Sequence, residues 1–156
     1  SSVVHSYFDG EEGTDDLDLP EDGIFEDALP ILVRDWRGSL VAPGETREVP
    51  LLPSMLHARM RHQPLAWTTA TISRAPETES ITVPAGRFEV SVFTVDVGDG
   101  RQLTFAVEAE APFRLVRQTG ADGEELVLLG STRMAYWRLN HPGGESYLDQ
   151  IGLSTD

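Results

Sequence analysis

From Leu65 onward apolar and polar residues alternate in short runs, the period of half-buried strands rather than of helices. Trp67–Arg74 (WTTATISR) is rich in β-branched residues, and Glu79–Val83 follows it. Pro84-Ala85-Gly86 then marks a turn, because Gly accepts positive φ. Arg87–Val97 (RFEVSVFTVDV) alternates with one phase change: Phe88, Val90 and Val92 share one parity, Phe93, Val95 and Val97 the other. One extra residue near Val92 or Phe93 would keep all six on the buried side, which predicts a β-bulge there. Asp99-Gly100 reads as a hairpin turn into Arg101–Glu108, whose apolar face is Leu103, Phe105 and Val107. Ala111-Pro112 breaks that run and Phe113–Thr119 resumes it. Asp122-Gly123 leads into Glu124–Leu139, expected to split near Gly130. His141-Pro142-Gly143-Gly144 is a turn, followed by a weakly packed tail over residues 145–156.

The pattern before Leu65 is less regular. Ser2–Phe8 (SVVHSYF) is apolar enough for a strand, and residues 9–22 read as an acidic loop. A short helix is predicted up to Val33, with Asp27 as its cap, Pro30 in its first turn and Gly38 beyond its end. Glu45–Leu52 reads as an edge strand because Pro50 cannot donate to a ladder. Pro53–Pro64 shows no period and fits a helical turn or a loop. Successive strands joined by short turns, with no helical crossovers, give the fold class: mainly β, a curved antiparallel meander (half-barrel or partial barrel) with a short helical segment, in a single domain spanning residues 1–156.

Composition narrows the chemistry. The chain has no Cys, and all twelve of its basic residues are Arg. Thiolate nucleophiles, zinc–thiolate sites, iron–sulfur clusters, disulfides and lysine Schiff bases are therefore excluded. A formal charge of −14 argues against nucleic acid, whose phosphates require clustered positive charge. The charge is unevenly placed: Asp9, Glu11, Glu12, Asp15, Asp16, Asp18, Glu21, Asp22, Glu26 and Asp27 precede the first Arg. The β region carries only a small excess. No apolar run approaches the ~18 residues that would span a bilayer.

No catalytic signature emerges. His57 and His62 are five apart, which fits neither the helical nor the strand spacing of a metal pair. Asp16, Asp18 and Asp22 resemble a calcium loop, but Glu21 stands where the sharp-turn Gly is needed. Glu108 and Glu110 share a strand face, which the apolar opposite face marks as the solvated one. No Gly-x-Ser-x-Gly elbow is present, and Gly143-Gly144 lacks the strand-to-helix setting of a phosphate cradle. The sequence therefore predicts no catalytic residue, no metal and no cofactor. A concave sheet lined by aromatic and aliphatic strand residues could hold an apolar ligand. Trp67, Phe88, Val90, Phe93, Phe105, Val107 and Leu115 are the candidate lining.

Three stretches carry a family resemblance: Glu26-Asp27-Ala28-Leu29-Pro30-Ile31-Leu32-Val33-Arg34, Ile81-Thr82-Val83-Pro84-Ala85-Gly86-Arg87-Phe88-Glu89-Val90, and Ala111-Pro112-Phe113-Arg114-Leu115-Val116-Arg117. A strand ending in V-P-A-G-x-F, then two strands and an x-P-x-x-L-V-R segment, resembles an uncharacterised bacterial domain family. That family is associated with the half-barrel superfamily of the lipoprotein carriers LolA and LolB and the sensor RseB. The resemblance implies an extracytoplasmic curved sheet partly closed by a helix or loops, with an apolar cavity and no catalytic residues. Members place several strands ahead of the helical segment, whereas only Ser2–Phe8 precedes it here.

The expected function is a non-enzymatic periplasmic or extracellular β-domain, with any signal segment absent from this chain. Its expected partner is a lipid or other apolar small molecule, or a lipidated protein. One alternative is a protein-interaction module using a sheet edge or the acidic segment. Another is a carboxylate-dependent enzyme.

Overall fold

The computed structural model describes residues 2–5, 13–34, 40–139 and 141–153. An N-terminal hairpin pairs β1 (Ser2–His5) with β2 (Gly13–Asp16). Strand β2 thus occupies part of the acidic segment predicted as a loop, and residues 6–12 lie outside the described residues. The main sheet is built from β3 (Ile24–Phe25), β4 (Thr46–Leu52), β5 (Thr68–Arg74), β6 (Glu79–Val83), β7 (Gly86–Val97), β8 (Gln102–Glu108), β9 (Leu115–Thr119) and β10 (Glu125–Val127). Its order is β10-β9-β8-β7-β5-β4-β3, with β6 beside β7. All its pairings are antiparallel except β3 with β4. The result is a curled mixed sheet forming a half-barrel with a few short helices.

Strand β7 organises the curl. One of its edges is shared: Gly86–Val90 pairs with β6 and Phe93–Val97 with β5. Its other edge pairs with β8 without a break, from Val90 opposite Glu108 to Asp96 opposite Gln102. The predicted bulge near Val92 and Phe93 is absent. Both parities are instead buried, on opposite faces. Phe93, Val95 and Val97 join Val49, Leu51, Ala70, Ile72, Leu103, Phe105 and Val107 in one core, covered by Leu29, Val33 and Val41. Phe88 and Val92 pack against Val90 in a second core with Ile81, Val83, Ala106 and Val116. A strand apolar on both faces needs no phase correction when each face has its own cover. The irregularity lies one strand further on. Ala106 opposes Arg117 and Val107 opposes Leu115, so Val116 is the extra residue, and it turns into the second core.

The helical segment begins as a 3-10 turn over Glu26–Ala28 and continues as α1 (Leu29–Leu32), with Pro30 in its first turn as expected. No side chain caps it. Gly38, predicted beyond its end, lies outside the described residues. Asp27, predicted as the cap, accepts instead from the Met55 N–H (3.3 Å), while Glu26 Oε2 accepts from the Ser54 N–H (3.1 Å). These donors open α2 (Met55–Met60), the helical turn that Pro53–Pro64 left open. A helix start leaves N–H groups unpaired, and carboxylates satisfy them while complementing the dipole. Strand β4 is an edge strand over Thr46–Pro50, since β3 reaches only Leu51 and Leu52. Only Glu125–Val127 of the predicted strand Glu124–Leu139 forms, and the chain leaves the sheet well before Gly130.

Two cores on opposite faces of one strand make a specific prediction. Phe93→Ala in the first core is expected to cost about 3–5 kcal/mol, and Val90→Ala in the second about 2 kcal/mol or more. Glu48→Gln, exposed on β4, is expected to stay within about 0.5 kcal/mol of the parent. Urea denaturation of the three variants checks this. A negligible cost at either Val90 or Phe93 would mean that only one face is a core.

Candidate functional site

The chain after β10 forms an arm rather than a further strand. Leu128 fixes its root: its N–H donates to the Val116 carbonyl (2.9 Å), and its carbonyl accepts from the Ala85 N–H (3.1 Å). Beyond it come two 3-10 segments, Tyr136–Arg138 and Gly144–Ile151, neither with a fully buried residue. The arm returns to its own beginning. A Cβ at Gly130 would meet the Ile151 backbone at 2.5 Å, and one at Gly152 (φ +79°) the Leu129 carbonyl oxygen at 2.6 Å. Only glycine permits such backbone contact at both ends.

Between these ends the arm surrounds an open cleft of about 630 Å³, lined by Met134, Tyr136, Leu139, Tyr147, Leu148 and Ile151, with Thr132, His141, Gly144 and Glu145. Tyr136 and Trp137 meet edge to face at 5.4 Å and are both mostly exposed (70% and 65%). Two of the lining groups, His141 and Glu145, are of ordinary acid–base type. His141 Nδ1 lies 3.0 Å from the Pro142 carbonyl, and a Glu145 oxygen accepts from the Gly143 N–H (2.6 Å). The weakly packed tail predicted over residues 145–156 thus supplies four of the cleft's lining residues.

The seven predicted lining residues do not share one surface. Phe93, Phe105 and Val107 are buried in the first core, with Leu115 packed against it. Val90 is buried in the second, with Phe88 packed against it. Trp67 stands apart from both, half-buried and edge-on to Phe25 with ring centroids 5.9 Å apart. Its indole N–H is buried without a hydrogen-bond partner. Two of the aromatic residues carry an Arg at the core margin: Arg74 lies 5.2 Å from the Phe93 ring and Arg114 5.3 Å from Phe88. Six of the seven residues offered as a lining thus belong to the packed interior, which the sequence pattern could not separate from a cavity wall. The pattern overlooked the arm because Tyr136 and Leu139 were read as part of the strand Glu124–Leu139, and Leu148 and Ile151 as part of a weakly packed tail.

The acidic side chains are engaged structurally. Arg101 forks onto Glu26, with Nη1 at 2.7 Å from Oε1 and Nη2 at 2.8 Å from Oε2, while its Nε reaches Asp99 (2.7 Å). The Glu26 side chain is buried and that of Arg101 nearly so. The Arg101 guanidinium is held above its ordinary value, foremost by the Glu26 hydrogen bond, against the opposing effect of burial. Burial pushes Asp99 upward, yet the hydrogen bonds and charge of Arg101, with a smaller contribution from His57, bring it below the usual carboxylate range. Arg114 grips Glu108 in the same bidentate way (2.6 and 2.8 Å) and adds its backbone N–H (3.0 Å). The Arg114 hydrogen bonds lower the Glu108 pKa, with burial opposing. Glu108 therefore points into a salt bridge, and Glu110 beside it is exposed.

Among the described residues no three His, Asp or Glu side chains converge as a metal site. None of their helices is long and apolar enough to cross a membrane. No family model, curated protein or solved structure matches the chain.

The two Arg clamps make acid sensitivity predictable. Asp99 and Glu108 have depressed pKa values, so their stabilisation is complete above the unfolded carboxylate range of about 4 and is lost as pH falls through the folded values. The urea midpoint should hold steady from pH 7 to 5 and drop below about pH 4. Glu108→Gln should lower the neutral-pH midpoint and flatten part of that drop. Arg101→Ala leaves Glu26 buried and unpaired, and should cost about 3–5 kcal/mol at pH 7.

Proposed function

We propose that this chain is a non-enzymatic, extracytoplasmic binding domain that takes up an apolar small molecule or the acyl chain of a lipid or lipidated protein. The observation that carries this proposal is the arm's cleft of about 630 Å³, walled by Met134, Tyr136, Leu139, Tyr147, Leu148 and Ile151. That volume falls in the usual range of small-molecule sites, and the lining is apolar with few polar groups, as such sites require. The large side chains of the sheet interior fill their own space, so the arm is the better seat than the concave lining predicted from sequence. The location outside the cytoplasm rests on the resemblance to the half-barrel carriers.

Magnitudes favour a reversible carrier over a permanent store. About ten buried methylene groups at ~0.8 kcal/mol each contribute about 8 kcal/mol before ordering costs. Net affinity is then expected in the micromolar range or weaker.

A naphthylamine dye that fluoresces in apolar surroundings should show saturable enhancement on adding the full chain, and a long-chain fatty alcohol should displace it. Leu148→Arg is expected to weaken the dye by about tenfold or more while the far-ultraviolet circular dichroism stays unchanged. Equal binding by the parent and by Leu148→Arg would remove the cleft from consideration. No enhancement with the folded parent would remove apolar binding altogether.

A further inference from the structure

The arm exposes two large aromatic residues at a single turn. Tyr136 and Trp137 open the 3-10 segment Tyr136–Arg138, and their rings touch edge to face while both stand mostly in solvent. Tyr136 also lines the cleft, so the ring pair sits at the cleft's rim. Contiguous exposed rings, unlike a lone apolar side chain, call for a partner outside the chain.

The charge around this turn differs from that of the rest of the molecule. Residues 126–144 contain no Asp or Glu, although the chain has 26 acidic residues in 156. The same stretch contains Arg133 and Arg138, both exposed. Among the described residues neither guanidinium makes an ion pair or a side-chain hydrogen bond, whereas Arg101 and Arg114 are clamped onto carboxylates. Acidic residues resume at Glu145 and Asp149 on the second 3-10 segment, and Glu145 is drawn back onto the Gly143 N–H. The acidic cluster that dominates the net charge precedes the first Arg in sequence. Salt screens charges more than about 8 Å apart at physiological ionic strength, so distant acids oppose an approaching anion only weakly.

This set of side chains matches the surface of a phospholipid bilayer. Tyr and Trp each join an apolar ring body to a polar tip. At headgroup depth the body meets acyl chains while the hydroxyl or indole N–H meets water and ester oxygens. Guanidinium groups pair with phosphate through two parallel hydrogen bonds. Arg133 precedes the ring pair and Arg138 follows it directly, which places basic residues on both sides of an aromatic tip. A bilayer rich in anionic lipid supplies phosphates to both guanidinium groups and hydrocarbon to both rings without a shape-matched pocket.

We propose that the Tyr136–Arg138 turn docks on an anionic phospholipid bilayer. Tyr136 and Trp137 enter the boundary between headgroups and acyl chains, and Arg133 and Arg138 hold lipid phosphates. Docking there brings the rim of the cleft to the bilayer, a route by which an acyl chain reaches the cleft without crossing water. That last consequence rests on the function proposed above, whereas the docking itself does not depend on what the cleft holds.

The test is flotation of the full chain with vesicles made of equal parts phosphatidylcholine and phosphatidylglycerol. The parent is expected to float with them, and to float much less with phosphatidylcholine alone or at high salt. Its tryptophan emission should shift to the blue on these vesicles, and Trp137→Ser should abolish the shift. Trp137→Ser, and separately Arg133→Gln combined with Arg138→Gln, should each weaken partitioning about tenfold or more. None of these three residues lines the cleft, so the variants should keep the parent's circular dichroism and dye binding. The proposal falls if the folded parent stays with the unbound fraction, if pure phosphatidylcholine serves equally well, or if either variant floats like the parent. It also falls if sedimentation shows the parent to be a dimer that Trp137→Ser dissociates, because a second copy then covers the turn. A parent that binds the dye but not vesicles overturns this proposal and leaves the cleft standing; one that binds vesicles but not the dye does the reverse.

Discussion

Everything in this structure depends on a strand whose buried side changes from one face to the other along its length. Strand β7 carries six large apolar residues in two parities, and the sheet accommodates them by curling both ways around it. Its first half belongs to a tight curl that includes β6 and encloses Val90. Its second half belongs to a broader curl with β4 and β5 that encloses Phe93 and is covered by α1. On the shared edge β6 gives way to β5 between Val90 and Phe93, where the buried side of β7 also changes face. A bulge would have produced one thick core. Unbroken alternation produces two thinner ones, each dependent on β7 and β8.

The charges follow from that architecture. The hairpin joining β7 to β8 ends at Arg101, which reaches back to Glu26 at the entry to α1. Glu26 and Asp27 in turn receive the first N–H groups of α2. One guanidinium thus ties the lid of the first core to the β7–β8 hairpin and, through Glu26, to the second helix. Glu108 and Arg114 do the equivalent work at the other end of β8, holding the loop that leads into β9. Bidentate pairs of this kind fix orientation as well as supplying attraction, and Lys could not replace Arg in them. In an Arg-only chain, part of the acidic excess is therefore structural.

A filled sheet interior moves the search for function outward. Concave features among the described residues differ in character. The arm's cleft is apolar and self-contained, set on segments that bury little of themselves. A recess of about 180 Å³ among Glu79, Val92, Thr104, Arg117 and Glu125 is polar at its rim and built on regular strands.

The sequence by itself determined the strands from Trp67 to Thr119, their turns, the Pro30 helical segment and the buried apolar residues of β7 and β8. Period-two alternation and Gly or Pro punctuation are local signals, readable without knowing what a strand packs against. It also removed thiol, lysine and phosphate-cradle chemistry, since absent residues cannot act. Tertiary structure alone decided which face each alternating residue served. A phase change such as that at Val92 and Phe93 is equally consistent with a bulge or with two cores, and only the cover on each face selects between them. The same holds for Glu26, whose partner lies 75 positions away, and for the arm, whose cleft exists because Gly130 and Gly152 bring its two ends together. Contacts of that range depend on the curvature of the whole sheet, which no local pattern encodes.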